Sequence, residues 1–99
     1  MCFMNRDEIL RLLQRKRAEI NQFDVLSLAL FGSVARDEAT PDSDLDVLVA
    51  FRNEATFDTY MNLKFYLEEL VGRSVDLVTE QAVRPQLKPS IQRDAIYVT

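Results

Sequence analysis

"LFGSVARDEATPDSDLDVLVAF", Leu30 to Phe51, sets a Gly-Ser pair at the close of one apolar run and two carboxylates, Asp44 and Asp46, at the opening of the next. An apolar run, a glycine, a polar stretch and a second apolar run read as strand, turn with short helix, strand. Asp44 and Asp46 are two positions apart, so on a strand they point to one face. Like charges side by side repel, and a buried charge without a partner is expensive. A fold alone has no use for such a pair. A cation held between them is the usual physical reason for it. The chain has no histidine and one cysteine, Cys2, so oxygen ligands are what is on offer. Hard oxygen ligands suit Mg2+ or Mn2+ rather than zinc.

Working outward, a third acid, Asp76, lies near the start of another strand candidate, "SVDLVT". If the two strands pair in the right register, Asp76 faces the same metals, and three carboxylates can clamp two divalent ions. Upstream, Gly32 lets backbone come close to a ligand, and a side chain there would occupy the space of a phosphate. A helix starting at Ser33 directs N–H groups and a positive dipole end outward, which favours an anion. Ser33 adds a hydroxyl, and Arg36, one turn on, is placed to reach a phosphate. One loop thus offers phosphate donors and the next strand offers metal-holding acids, as a nucleoside triphosphate chelating Mg2+ requires. Each part alone has a plainer reading: a turn with an N-cap, a turn acid beside a strand-end acid, a solvent-facing Asp76, a solvated Arg36. Their joint spacing favours a site.

The remaining elements follow from periodicity. Asn5 or Asp7 caps a first helix with Ile9, Leu10, Leu12, Leu13 and Ile20 at helical spacing, running to about Gln22. "VLSLALF" (Val25 to Phe31) reads as a strand buried on both faces or nearly so. "SVARDEA" predicts about two turns of helix, "TPDSD" a turn, and "LDVLVAF" (Leu45 to Phe51) the second strand. Thr56 or Asp58 opens a long helix with an apolar stripe of Tyr60, Leu63, Leu67 and Leu70, ended by Gly72. "VDLVT" (Val75 to Thr79) is the third strand. Pro85 and Pro89 bound a turn, and "SIQRDA" is a short last helix. The sum is an α/β (α+β) domain, residues 1–99, with a small mixed sheet flanked by helices.

Bulk composition narrows the function classes. Ninety-nine residues that are 47% hydrophobic and 28% charged suit one small globular domain. A net charge of −4 argues against direct nucleic-acid binding. The basic cluster Arg11 to Arg17 reads as the solvated face of the first helix. No apolar run approaches the ~20 residues of a membrane span. The N-terminus reaches charge too early for a signal peptide, and one cysteine fits a reducing compartment, so a cytoplasmic protein is expected.

"GSVARDEATPDSDLD" matches a known signature: Gly-Ser, ten residues, Asp, one residue, Asp. The chain resembles the DNA polymerase β-like nucleotidyltransferase superfamily. "LFGS", "SDLDVLV" and the closing "IQRDAIYV" make it most similar to the minimal nucleotidyltransferase (MNT) branch. The resemblance implies a nucleotidyltransferase fold with the active site at the end of two adjacent strands. It implies that Asp44, Asp46 and Asp76 hold two Mg2+ ions, Asp76 also helping to activate the incoming hydroxyl. Gly32 and Ser33 would bind the phosphates of ATP. Many MNT proteins are antitoxins beside a HEPN-domain RNase toxin, and the implied function is transfer of AMP to a toxin tyrosine within a hetero-oligomer. Two alternatives stand beside it: an antitoxin that works by covering its partner, and nucleotidyl transfer to a small molecule or RNA end. The chain departs from many relatives at Val34, where they carry arginine, and at Asp37, where they carry glycine. The first change removes a cation expected beside the phosphates.

Overall fold

The computed structural model describes residues 5–38, 44–53 and 56–98. Cys2 and most of the "TPDSD" turn lie outside them. Among the described residues the element order is α1 (Arg6–Arg15), α2 (Arg17–Asn21), β1 (Val25–Phe31), α3 (Gly32–Ala35), β2 (Leu45–Phe51), α4 (Phe57–Val71), β3 (Val75–Thr79), two 3-10 turns (Glu80–Ala82 and Pro85–Leu87), α5 (Lys88–Asp94) and β4 (Ile96–Tyr97). The sheet runs β3-β2-β1-β4. β1 is antiparallel to β2 and to β4, and β2 is parallel to β3. A parallel pair needs a long crossover, which α4 supplies.

Local chemistry accounts for the helix ends. Asn5 accepts from the Glu8 backbone N–H while the Glu8 side chain accepts from the Asn5 N–H, a reciprocal capping box on α1. Thr56 caps α4 by accepting from Thr59 N–H at 3.1 Å, and Gly72 ends it at φ +70°, where a residue without Cβ meets no strain. The expected first helix breaks at Lys16, whose ψ of 12° lies off the helical value, so α2 turns away to bury Ile20. The expected Ser33-led helix is shorter than two turns. Phe31 is its N-cap, no side chain caps it, and it stops after Ala35. Pro89 lies within the first turn of α5 rather than ahead of it, where its missing N–H costs nothing. The short edge strand β4 was not among the expected elements, because two residues show no period.

Alternation decides what faces where. Leu28 and Leu30 of β1, Leu45, Val47 and Val49 of β2, and Val75 and Leu77 of β3 meet Ile9, Leu13, Ile20, Leu63 and Leu67 in the main core. The opposite face carries a smaller cluster, Ala29, Phe31 and Leu48, against Val83, Ile91 and Ala95. β1 is less buried at its start than its apolar run suggests. Its register shifts between Val25 and Ser27, leaving Leu26 exposed.

Candidate active site

Asp46 sits between Leu45 and Val47, both fully buried in the main core. It must therefore point to the other face, the one that α5 covers only in part. The same parity holds for Asp76, between Val75 and Leu77. Asp46 and Asp76 are register partners across the parallel β2–β3 pair, so their side chains stand side by side on that face. On its other flank Asp46 partners Phe31, the last residue of β1. Asp44 lies just ahead of β2 and is exposed. The Leu45 N–H donates to Ser74 C=O at 2.9 Å, which fixes the start of β2 between the two acids.

Gly32 backs directly onto this group. Its φ is +75°, and a Cβ there would lie 2.2 Å from Asp46 Oδ2. The glycine is required by its backbone conformation and by the Asp46 carboxylate it leaves room for. A side chain here would invade the space of Asp46, a constraint that the sequence did not show. Ser33 is the second residue of α3 and half-buried.

Electrostatics mark Asp46 out. Burial, then the charges of Asp76 and Asp44, push its carboxyl up to about 6, against a smaller opposing pull from Arg36. Burial and two neighbouring like charges both disfavour the ionised form. The donor chemistry fits a hard divalent ion: oxygen ligands and unbalanced negative charge. Among the described residues, however, no three acids are drawn close enough together to form a ready ligand cluster.

Arg36 is engaged elsewhere. It donates to Asp94 Oδ2 at 2.7 Å and to Glu38 Oε2 at 3.3 Å, and the Asp94 side chain is only 4% exposed. Hydrogen bonds from Arg93 and then Arg36 hold the Asp94 carboxyl below its ordinary range. Arg36 thus ties α3 to α5, and its charge still reaches Asp46. Val34 is 2% exposed and packs in the main core, so the position that carries arginine in many relatives does not face the acids here. Asp37 takes φ +60° and closes α3, with Glu38 N–H donating to Ser33 C=O at 2.9 Å. A glycine would take that left-handed position with least strain.

Sequence reasoning missed three neighbours. Tyr60 of α4 donates its hydroxyl to Leu77 C=O, and burial, then the Asp76 charge, push that hydroxyl's pKa up. Asp94, within "IQRDAIYV", carries no sign in the sequence of its tie to Arg36. Arg84 lines a cleft of about 550 Å3 beside Asp76. The only signal for it in the sequence is that Ala82 to Arg93 carries three cations and no acid. Another cleft, about 820 Å3, lies on α1 along Arg11 and Arg15, and neither Asp44, Asp46 nor Asp76 lines it.

Comparison with known proteins identifies the family of the chain. The nucleotidyltransferase domain family matches residues 8–98. A Methanocaldococcus jannaschii protein provisionally named a protein adenylyltransferase is 44% identical over 94 residues, covering 92% of each chain. The protein adenylyltransferase MntA of Thermococcus cleftensis is 33% identical over 99 residues, 99% of this chain and 100% of that one. A solved structure provisionally described as a minimal nucleotidyltransferase superposes with a TM-score of 0.75 at 37% identity, covering 97% and 98% of the two chains. A chain from the solved complex of a tri-AMPylated Shewanella oneidensis HEPN toxin with MNT antitoxin matches at TM-score 0.67 and 17% identity, covering 91% of this chain and 71% of that one, which speaks to the fold alone.

Proposed function

The chain belongs to the nucleotidyltransferase domain family, and on that premise we propose that its 99 residues act as one minimal domain that transfers AMP from ATP, with Mg2+, to a tyrosine of a HEPN-type RNase toxin. The observation that carries this reading is the side-by-side placement of Asp46 and Asp76 with Gly32 behind Asp46. Asp44, Asp46 and Asp76 are the residues that would hold Mg2+. When bound, the metal supplies charge neutralisation at the phosphates and lowers the pKa of a nearby hydroxyl.

The chain's own residues set the direction of the reaction. The α3 start at Gly32 and Ser33 receives the β- and γ-phosphates on one flank of Asp46. Asp76, on the other flank, accepts the phenolic proton. The tyrosine oxygen bonds to the α-phosphorus as the bond to the α–β bridging oxygen breaks, and pyrophosphate leaves. Arg36 keeps α3 in place through Asp94 and tempers the negative charge at Asp46.

The test is isotopic. ATP labelled at the α-phosphate should mark the HEPN partner, and ATP labelled at the γ-phosphate should not. Transfer of γ-label, or of none, contradicts the reading. The same labels identify the second reading, an antitoxin that works by covering its partner: the partner would then be silenced while carrying neither label.

A further inference from the structure

Asp46 divides the exposed end of the sheet into two flanks. Gly32 lies on the β1 side, close enough that a Cβ would touch the Asp46 carboxylate. Asp76 lies on the β3 side, in register with Asp46. Beyond Asp76 the same face opens into a cleft of about 550 Å3, lined by Asp76, Val78, Ala82, Arg84, Gln86 and Leu87. That volume falls within the range of sites that take small ligands and side chains. Its walls are chemically mixed. Val78, Ala82 and Leu87 give an aliphatic floor, Gln86 a neutral donor and acceptor, and Arg84 a cation that is exposed and forms no ion pair with the described residues.

Displacement at phosphorus is in-line, so the attacking oxygen enters opposite the leaving group. With the phosphates on the Gly32 flank, pyrophosphate departs toward β1. The attacking hydroxyl then has one approach along the sheet face, from the β3 flank, across Asp76. From these positions we propose that the cleft beside Asp76 is the acceptor-docking site, and that it takes an extended peptide segment carrying the tyrosine between an aliphatic residue and a carboxylate. The aliphatic side chain packs on Val78 and Leu87. The carboxylate pairs with Arg84. The tyrosine hydroxyl then lies toward Asp76, which takes its proton as the oxygen–phosphorus bond forms. The local charge supports this occupant: Arg84 and Lys88 are exposed, and Ala82 to Arg93 holds no acid, in a chain of net charge −4, while Arg93 is spent on Asp94. The chain as a whole suits a basic partner, and this one flank suits an acidic segment of it.

The inference rests on the adenylyl-transfer reading for its direction of attack, and the experiment separates the two. The probes are two fluorescently labelled synthetic peptides with a central Leu-Tyr, one flanked by glutamates and one by lysines. Their binding to the full chain is measured by anisotropy without nucleotide. Wild type should prefer the glutamate peptide. Arg84→Glu should weaken that peptide by about tenfold or more and reverse the preference, because like charges then face each other. Leu87→Ser should weaken both peptides, and neither variant should alter the Mg2+-ATP melting shift. Equal affinity of wild type for the two peptides, binding of neither, or an unchanged preference in Arg84→Glu overturns the assignment. Loss of the Mg2+-ATP shift in both variants also overturns it and places the nucleoside in the cleft. Charge-selective peptide binding without any transfer from ATP would uphold the cleft and sink the enzymatic reading instead.

Discussion

Asp46 concentrates the chemistry of this chain, and three consequences follow at single positions. Its carboxyl is raised to about 6 from an ordinary value near 3.9. The folded state therefore favours the protonated form. The associated stability is fully present below about pH 4 and is lost as pH rises through about 6. Asp46→Asn should accordingly melt close to wild type at pH 4 and higher than wild type at pH 7, by on the order of 1–2 kcal/mol once solvent screening at a half-buried site is allowed for. Mg2+ should raise the wild-type melting point and leave that of Asp46→Asn unmoved. A variant no more stable than metal-free wild type at pH 7 would refute the repulsion. Gly32→Ala suffers strain at φ +75° and a clash with Asp46, so its cost should exceed the ~1–2 kcal/mol of a left-handed backbone alone. Repeating it in an Asp46→Ala background should recover the clash component; additive costs in the double variant would show that the two positions do not touch. Asp37→Gly relieves a left-handed residue at the end of α3, and a gain of up to about 1 kcal/mol in chemical denaturation is expected.

At the level of elements, the site is a product of strand parity and of two ties between helices and sheet. Leu45 is fully buried between Asp44 and Asp46, and its burial is what turns both acids away from the main core. Leu45→Ala should cost about 2–5 kcal/mol, the range for a core leucine, and should weaken Mg2+-ATP binding as the start of β2 loosens. The Arg36–Asp94 pair joins α3 to α5. Arg36→Ala should lower the melting point with or without nucleotide, because it strips a nearly buried carboxylate of a partner. A melting point that falls only in the presence of Mg2+-ATP would return Arg36 to the phosphate-binding role its position in the sequence suggested. Most of these elements were legible beforehand. β1, β2, α4 and β3 have strong periods and clear ends, Thr56 and Gly72 among them. The Gly-Ser and Asp-Leu-Asp spacing marked the acids, and the register then set Asp76 beside Asp46. What stayed hidden was long-range or too short for a pattern. Arg36 carried no sign that Asp94, far along the chain, would engage it. β4 has two residues, and the break at Lys16 comes from packing rather than from any proline or glycine.

On the scale of the whole molecule, nearly all of the main core lies on one side of the sheet and the acids on the other. Helices α1, α2 and α4 pack on the core side, and α5 covers the other face only in part. No helix among the described residues is long and apolar enough to cross a membrane. The net charge of −4 predicts that association with a basic partner weakens as salt rises. A salt-independent affinity would speak against charge-guided docking. Whether the acids turn over ATP or the chain acts only as a cover is decided by one measurement, the intact mass and nuclease activity of the proposed HEPN-type partner after incubation with ATP and Mg2+. The account predicts a partner that gains whole adenylyl units and loses activity with wild type, and gains none and keeps its activity with Asp44→Asn. A partner that stays unmodified yet is fully silenced by both proteins would contradict it.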